Sequence, residues 1–193
     1  MFEIFDGPVL LESEGVSVRS LSVSDVEAIT AFALNEPLWS FISLPLRQLN
    51  PPSIEHFVRN QLQDHRIRRG IPLIVFDVEK KQVAGILRYE YISFRHQHME
   101  IGGRLLGQHH EAILSEAMGL LLRHAFEKRN SLRVGMKAEV QNERAHDFLT
   151  QIGATTEGIL RNYYTDYEGI TYDMQIYSII ASEWHEKVSH RFA

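Results

Sequence analysis

The sequence predicts a mixed α/β fold, an α+β arrangement in which helices flank a central, mostly antiparallel sheet. Three observations support this prediction. Strand-like and helix-like patterns alternate along the chain, three consecutive strands are separated only by short polar turns, and a long amphipathic helix links two later strands. With 193 residues and 44% hydrophobic content, the chain can bury a substantial core. We therefore expect residues 1–193 to form a single domain.

The first part of the chain predicts one strand, two helices and a loop. The stretch "VSVRSL" (16–21) alternates apolar and polar residues, and Ser22 or Ser24 then supplies an N-cap for the helix "DVEAITAFAL". Residues 35–52 contain four prolines and several large apolar side chains, which indicates a loop that buries some of them. Ser53 is predicted to cap the second helix.

The middle of the chain predicts three strands, a helix and a further strand. Residues 72–78, 83–93 and 99–106 form an antiparallel meander. The helix over 110–128 has one apolar face, and it leads into a strand over 132–140. Together with the strand before it, this helix makes a strand–helix–strand unit.

The last part of the chain predicts one helix and a closing pair of strands. The helix covers 143–151 and ends before Gly153, which suits a C-cap. Residues 155–165 and 171–180 are strands that flank the turn "DYEG". We count five strands before this pair, and the fourth and fifth flank the long helix.

Composition and charge exclude several classes of protein. The formal net charge of −5 disfavours a nucleic-acid-binding protein or one that binds an anionic membrane surface. The absence of cysteine excludes disulfides, thiolate metal sites and cysteine nucleophiles. No window has the roughly 20 apolar residues of a membrane span, and the N-terminus lacks the pattern of a signal peptide. We therefore expect a cytoplasmic protein.

Three segments together resemble the GNAT acyltransferase family, and within it the RimJ/RimL-like branch. They read "ILSEAMGLLLRHAFEK", "QNERAHDFLTQIGATTEGILRNYY" and "YDMQIYSIIASEW", and the resemblance covers roughly residues 8–185. It implies a GNAT-like acyl-CoA N-acyltransferase fold, in which the sheet is splayed between the fourth and fifth strands. It also implies transfer of an acetyl group from acetyl-CoA to an amine.

The resemblance implies that acetyl-CoA binds in this splay. The fourth strand would pair with the pantetheine arm, and the pyrophosphate would bind the N-terminus of the following helix. Unpaired N–H groups and the helix dipole favour an anion at that position. The residues so implied are Arg104, Leu105 and Leu106 on the strand, and His109, His110, Glu111, Ala112, Ile113 and Leu114 on the loop and first helical turn.

The loop before this helix departs from the glycine-rich pattern of the family. His110 and Ala112 stand at the altered glycine positions, and the carboxylate of Glu111 would repel a pyrophosphate. A protonated His109 or His110 would pair with phosphate; alternatively, both histidines are solvent-exposed loop residues. Because adjacent helical residues diverge, the run "HHE" does not predict a metal site, and we expect no metal cofactor.

Asn142 begins the helix after the fifth strand. The resemblance implies that its side chain contacts the cofactor, and the same residue also suits a helix N-cap. The serine that the RimL-type pattern has three residues later is replaced by Ala145, and the tyrosine acid of other GNAT enzymes would fall at Leu149.

Three residues are candidates for catalysis. Acetyl transfer to an amine needs a base for the ammonium proton and often an acid for the thiolate. Glu100, on the fourth strand beside the expected thioester, is the candidate base, and an ion pair on the strand is the alternative. Tyr163 and Tyr164 stand where the RimL-type pattern has a glutamate. With a pKa of about 10, a tyrosine there would act as an acid or form a wall of the site.

Three further residues are candidates for the acceptor site. The resemblance places the loop "PLWSFISLPL" along one wall of this site, so Trp39 and Phe41 would line a substrate channel; alternatively they cover the core or a dimer contact. Asp173 either faces the acceptor or anchors the last strands.

These observations predict an acetyl-CoA-dependent N-acetyltransferase in which the amine attacks the thioester directly. The partners would be acetyl-CoA and an amine acceptor, either a protein N-terminus or a small molecule. The alternative is a GNAT-like domain with an altered cofactor loop that acts as a non-catalytic ligand-binding or interaction module. The stretch "YDMQIYSII" (172–180) would make a homodimer if it paired between subunits.

Overall fold

A nine-stranded sheet with helices on both faces is the main feature of the fold. The structure of the protein is a computed structural model that describes residues 4–5, 7–41, 49–166 and 168–192. Residues 42–48 of the predicted loop therefore lie outside the described residues. The strands are β1 (Leu10–Glu12), β2 (Val16–Ser20), β3 (Leu38–Trp39), β4 (Gly70–Asp77), β5 (Gln82–Ser93), β6 (His98–Gly107), β7 (Arg133–Glu139), β8 (Thr155–Thr165) and β9 (Thr171–Ile180). The helices are α1 (Val26–Asn35), α2 (Pro51–Arg66), α3 (Glu111–Arg123), α4 (Glu143–Gln151) and α5 (Ala181–Glu183).

Shorter helical turns extend several of these elements. A 3₁₀ turn over Val23–Asp25 precedes α1, and a π-helical turn over His124–Lys128 continues α3. After α5, a π-helical turn (Trp184–Val188) and a 3₁₀ turn (Ser189–Phe192) complete the described chain. No helix in the described ranges is long and apolar enough to cross a membrane.

The sheet has the order β1-β2-β4-β5-β6-β7-β9-β8, with β3 paired to β6 as a side branch. All neighbouring strands are antiparallel except β6 and β7, which are parallel. This parallel pair is joined through α3, as the predicted strand–helix–strand unit requires. The mixed α/β prediction is thus confirmed, and the additions to it are two short strands and the C-terminal turns.

Two hydrophobic clusters cover the two faces of the sheet. The smaller one is built by α1 and α2, and the larger one by α3, α4 and the C-terminal turns. Tyr89, Tyr177 and Trp184 are among the largest side chains that are fully buried. A domain of this layout protects most of its sheet from water on both faces.

The start of α2 differs from its prediction. Its N-cap is Asn50 rather than Ser53: the side chain of Asn50 accepts from the Ser53 amide at 3.0 Å, and the Ser53 hydroxyl accepts from the Asn50 amide at 3.0 Å. Pro51 has no N–H and suits the first helical position, so the helix begins earlier than the serine suggests. For the first helix, Ser22 is the cap of the 3₁₀ turn that leads into α1.

The fourth and fifth strands of the prediction correspond to β6 and β7, and the predicted splay between them is confirmed. These strands pair only from His98↔Arg133 to Glu100↔Gly135 and then diverge. On its other side, β6 carries one extra residue, Arg104, between the positions that pair with β5, and such a bulge bends a strand. We call the space between residues 101–107 of β6 and 136–139 of β7 the β6–β7 gap.

The closing strands correct one prediction. β9 lies between β7 and β8 and pairs with both, so residues 172–180 have no free edge to offer to another subunit. The edge strand at this end of the sheet is β8, and most of its residues are exposed. Residues 174–180 of β9 pair with β7 on one side and β8 lies along the other side, so this stretch is not available to pair with a second subunit.

Candidate active site

The β6–β7 gap is filled by a segment of the chain itself. β3 pairs with the end of β6, with Leu38 opposite Gly107 and Trp39 opposite Leu106. Beyond β3, the Phe41 amide donates to the Gly103 carbonyl on β6 at 3.2 Å.

The opposite wall of the gap holds the same segment. The Glu139 amide of β7 donates to the Phe41 carbonyl at 3.2 Å, and the Asn142 side-chain amide donates to the Ser40 carbonyl at 2.7 Å. We call residues 36–41 the strap. It runs between the two diverging strands and bonds to both.

The strap also contacts the loop that precedes α3. The Gln108 amide donates to the Pro37 carbonyl at 2.9 Å, and the His109 amide donates to the carboxylate of Glu36 at 3.0 Å. The same carboxylate lies 2.9 Å from Nδ1 of the His109 ring. The amides of residues 108 and 109 are therefore both occupied by the strap.

The residues expected to bind pantetheine lie on β6 as predicted, but the strap takes much of the strand edge. Leu105 and Leu106 are buried, with their side chains in the two different core clusters. The side chain of Arg104 forms an ion pair with Glu90, and its Nε is buried without a hydrogen-bond partner among the described residues. A ligand that pairs with the gap-facing edge of β6 therefore needs the place that the strap holds.

The N-terminus of α3 retains the features of an anion site. His110 is the N-cap residue, and no side chain caps the helix. The amides of Glu111, Ala112 and Ile113 precede the first in-helix bond, which runs from the Leu114 amide to the His110 carbonyl at 2.8 Å. This bond removes the Leu114 amide from the implied anion site, and its side chain is fully buried.

One charge near this helix opposes an anion and another favours it. Glu111 lies in the first turn, and its carboxylate is 3.4 Å from the guanidinium of Arg144 on α4. Arg144 also donates to the Gln108 carbonyl at 2.8 Å and lies over the ring of Trp39, 5.2 Å from its centre. Arg144 thus partly neutralises the charge of Glu111 at the entrance to the gap. This role was not predicted from the sequence.

The two histidines of this loop have different environments, and neither alternative from the sequence fits both. His109 is exposed, as expected for a loop residue, and pairs with Glu36. The side chain of His110 is only 4% exposed and turns inward, with Nε2 3.4 Å from the amide of Gln82 and Nδ1 3.9 Å from Asp77. The prediction of His110 as a phosphate partner or an exposed residue is therefore wrong, because an N-cap side chain can fold back over the strand ends.

Asn142, Trp39 and Phe41 all take structural positions. The Asn142 oxygen accepts from the Ala145 amide at 3.1 Å and caps α4, while its side-chain nitrogen holds Ser40. Trp39 and Phe41 are 7% and 1% exposed and pack on Phe148 in the core. Of the alternatives for the two aromatic residues, core packing is the one that the structure shows, although Phe41 also lines the cavity described next.

A cavity of about 200 Å³ lies beside the point where β6 and β7 separate. Glu100, the candidate base, stands at this point, and Nζ of Lys137 on β7 is 2.6 Å from its carboxylate. Burial raises the pKa of Glu100 above its ordinary value, and the bond to Lys137 opposes part of this rise. Burial is the largest single influence on Lys137 and lowers its pKa, but the hydrogen bonds and charges of Glu100 and Tyr163 together leave this pKa raised.

Tyrosine side chains surround the ammonium group of Lys137. It lies 4.2 Å from the ring centre of Tyr91 and 3.1 Å from the hydroxyl of Tyr163. Tyr164 lines the same cavity and lies near Tyr172, with the ring centres 6.2 Å apart and the rings tilted by 31°. The structure thus brings Glu100, Tyr163 and Tyr164 together in one region, which agrees with the prediction from the sequence.

Asp173 does not line this cavity, because its carboxylate accepts from the Asn162 amide at 2.7 Å. Asn162 has a positive φ of 51°, at an irregular point in the pairing of β8 with β9. The contact stabilises this irregularity, so Asp173 takes the anchoring position that the sequence left open.

Lys137, Tyr91 and Glu90 were missed from the sequence. Each lies on a long strand, where a single polar residue among apolar ones is normally interpreted as part of the solvent-exposed face of the strand. Glu90 contacts two arginines, Arg88 and Arg104. The one available signal was the strand alternation, which puts Lys137 on the same side of β7 as Gly135, the partner of Glu100. In the described part of the chain, no group of three or more potential ligand side chains is arranged to hold a metal ion.

The separation of β6 and β7 and the uncapped helix at the open end of the sheet agree with the GNAT-like fold that the resemblance implies. The sequence model of the family described as "Acetyltransferase (GNAT) domain" matches residues 16–155. The protein therefore belongs to the GNAT acetyltransferase family and is an acetyltransferase, as the resemblance implied.

Individual proteins agree with this assignment. The chain is 26% identical over 176 residues to the uncharacterized N-acetyltransferase YoaA of Bacillus subtilis strain 168, covering 89% of this chain and 96% of YoaA. Its fold is similar to that of a ribosomal-protein-S5-alanine acetyltransferase from Vibrio fischeri (TM-score 0.68, 20% identity, 91% and 98% covered). It is also similar to the microcin C7 self-immunity acetyltransferase MccE, solved with acetyl-CoA and AMP (TM-score 0.70, 19% identity, 87% and 93% covered).

Proposed function

We propose that the protein transfers an acetyl group from acetyl-CoA to an amine by direct attack in a ternary complex. The observation that carries this proposal is the position of Glu100, at the branch point of β6 and β7 and beside the tyrosine-lined cavity. The chain has no cysteine to form a thioester intermediate, which favours direct transfer. The acceptor is an amine of a protein N-terminus or of a small molecule.

The residues present fit acetyl-CoA at one end of the gap. The amides of Glu111, Ala112 and Ile113 would hold the pyrophosphate, since they lack a side-chain cap and lie at the positive end of the α3 dipole. When bound, acetyl-CoA supplies a thioester carbonyl as the electrophile. At the other end, the edge of β6 is available only if the strap leaves it.

Glu100 and Lys137 would act together in the deprotonation of the amine. Glu100 accepts a proton from the incoming ammonium, and its raised pKa makes it a stronger base than an ordinary carboxylate. Lys137 holds that carboxylate in place through the 2.6 Å contact. Tyr163, which accepts a hydrogen bond from Lys137, is the candidate to donate a proton to the departing thiolate.

The test is an acetylation assay with purified protein, acetyl-CoA and a panel of amines that includes N-terminal peptides and small primary amines. We expect release of free CoA thiol together with a product that carries one acetyl group, detected by mass spectrometry. Acetyl-CoA binding without transfer to any amine in the panel would favour the non-catalytic alternative. The absence of binding at millimolar acetyl-CoA would contradict the proposed function.

A further inference from the structure

We propose that the strap, residues 36–41, is an intramolecular occupant of the acetyl-CoA site and must leave the β6–β7 gap before acetyl-CoA enters. This inference rests on the proposed function. It follows from the contacts of the strap at three points, which are its backbone, its carboxylate and its aromatic side chains.

The backbone of the strap occupies both walls of the gap. It pairs with β6 at Leu106 and Gly107, bonds to the Gly103 carbonyl through Phe41, and receives the Glu139 amide of β7. An extended ligand in this gap would need the same donors and acceptors, because they are the ones that the diverging strands leave unpaired. The strap and such a ligand therefore exclude each other.

The carboxylate of Glu36 occupies the loop that leads into α3. It accepts the His109 amide at 3.0 Å and lies 2.9 Å from the His109 ring, just before the uncapped helix. The strap thus brings a negative charge next to the place where the pyrophosphate would bind. Two anions there repel each other, so Glu36 favours the closed arrangement over the one with a bound phosphate group.

The aromatic side chains of the strap are well packed in the core, whereas its polar groups are incompletely hydrogen-bonded. Trp39 and Phe41 pack against Phe148 and are almost fully buried. However, β3 is only two residues long, and the indole nitrogen of Trp39 is buried without a hydrogen-bond partner among the described residues. Because an unsatisfied buried donor destabilises the state that buries it, the closed arrangement is one that a ligand can replace.

The consequence is a lowered apparent affinity. If only a fraction of the molecules has an open gap, the measured Kd for acetyl-CoA equals the intrinsic Kd divided by that fraction. Substitutions that weaken the strap then tighten acetyl-CoA binding, although they remove contacts from the protein. A residue that merely supported the site would have the opposite effect when substituted.

The first experiment compares Glu36→Gln with Glu27→Gln by calorimetric titration of acetyl-CoA. Glu27 is an exposed residue of the same helix region, away from the gap, and serves as the matched control. We expect Glu36→Gln to lower the Kd about two- to fivefold, the size of effect typical of one partly exposed carboxylate contact, and Glu27→Gln to leave it unchanged. An unchanged or higher Kd for Glu36→Gln would overturn the proposed role of Glu36.

The second experiment locks the strap. The wild-type chain has no cysteine, and Trp39 and Leu106 are antiparallel partners whose spacing suits a disulfide, so the double variant Trp39→Cys/Leu106→Cys forms one defined bridge. We expect the reduced protein to bind acetyl-CoA and the oxidised protein to lose binding by at least about tenfold. Circular dichroism and the melting temperature of both forms check that the variant is folded, and hydrogen exchange of wild-type strap amides should accelerate when acetyl-CoA is added.

The outcomes separate this inference from the proposed function. If the wild-type protein binds acetyl-CoA and the oxidised variant binds it as tightly as the reduced one, the strap proposal is wrong and the proposed function stands. If neither the wild-type protein nor Glu36→Gln binds acetyl-CoA at millimolar concentration, both are wrong. A folded oxidised variant that loses binding, together with a Glu36→Gln variant that gains it, supports both.

Discussion

At the scale of single residues, opposite charges meet at the branch point of the sheet. Glu100 and Lys137 face each other across β6 and β7, half enclosed by tyrosine side chains. A carboxylate in such a place is stabilised in its charged form by the ammonium group and destabilised by burial. The balance leaves a base whose proton affinity is raised while its position is fixed, which suits deprotonation of an ammonium group.

The substitution Glu100→Gln tests this role. It keeps the size of the side chain but removes the proton acceptor, so we expect kcat at neutral pH to fall by about 10²–10⁴, the usual contribution of a general base. The Kd for acetyl-CoA should change little. Steady-state kinetics and calorimetry measure the two effects, and Glu79→Gln, in an exposed turn, is the control. An unaltered kcat would exclude Glu100 as the base.

A second residue-scale prediction concerns His124 and the stability of the fold at low pH. Burial, with help from the charge of Arg129, lowers the pKa of His124 to about 4 from an ordinary value of 6.5. The ring is neutral between the Tyr89 hydroxyl and the Arg129 side chain, each at 3.1 Å. Because the unfolded chain binds this proton first, the free energy of unfolding falls as the pH drops from about 6.5 to about 4, by at most about 3 kcal/mol.

Urea unfolding at pH 7.5 and pH 5.0 measures this loss. We expect His124→Gln to be less stable than the wild type at pH 7.5 and to lose less free energy of unfolding on going to pH 5.0. His56→Gln, on the exposed face of α2, should show the same pH dependence as the wild type. Equal losses in the wild type and His124→Gln would contradict the assignment.

At the scale of elements, most boundaries follow from local chemistry. The ranges predicted for β8 and β9 match the observed ones, because their apolar patterns are long and the turn between them is well marked. The strands that were missed, β1 and β3, have three and two residues. Strands this short have no recognisable hydrophobic period. β1 pairs with β2, the next strand in the chain, whereas β3 forms only because the distant strand β6 is present.

The capping box of α2 provides a prediction at this scale. Replacing Asn50 with alanine removes the acceptor for the Ser53 amide, so we expect the free energy of unfolding to fall by about 1 kcal/mol. Asn50→Asp keeps an oxygen in the same place and should cost much less. Denaturant unfolding of both variants measures the difference, and equal stability of the two would mean that the cap contributes nothing.

At the scale of the whole molecule, the C-terminal turns complete the larger core cluster. Trp184 is fully buried, stacks on Phe126 and Phe192, and donates to Glu127 at 3.1 Å. Gly119 on α3 allows Phe192 to approach, since a Cβ there would lie 2.4 Å from its ring. These turns follow the region matched by the family model, yet they close one face of α3.

The contribution of these turns can be measured with Trp184. We expect Trp184→Ala to lower the free energy of unfolding by about 3–5 kcal/mol, through the lost burial and the cavity left behind. Trp184→Phe, which refills most of the volume, should lose clearly less. Thermal and urea unfolding of the two variants give the comparison, and a loss below about 1 kcal/mol for the alanine variant would show that the turns are only loosely attached.

The sequence by itself determined the fold class, the long elements and their order, and the family, because these depend on periodic patterns and on motifs that are local in the chain. It also led to Glu100, Tyr163 and Tyr164, which the fold brings to one region. Only the tertiary structure decided which partners the polar groups have. Three features depend on contacts between residues far apart in sequence. They are the pairing of Lys137 with Glu100, the burial of His110 and the pairing of the strap with β6. No local pattern encodes such contacts, since they exist only after the sheet has formed and its two central strands have separated.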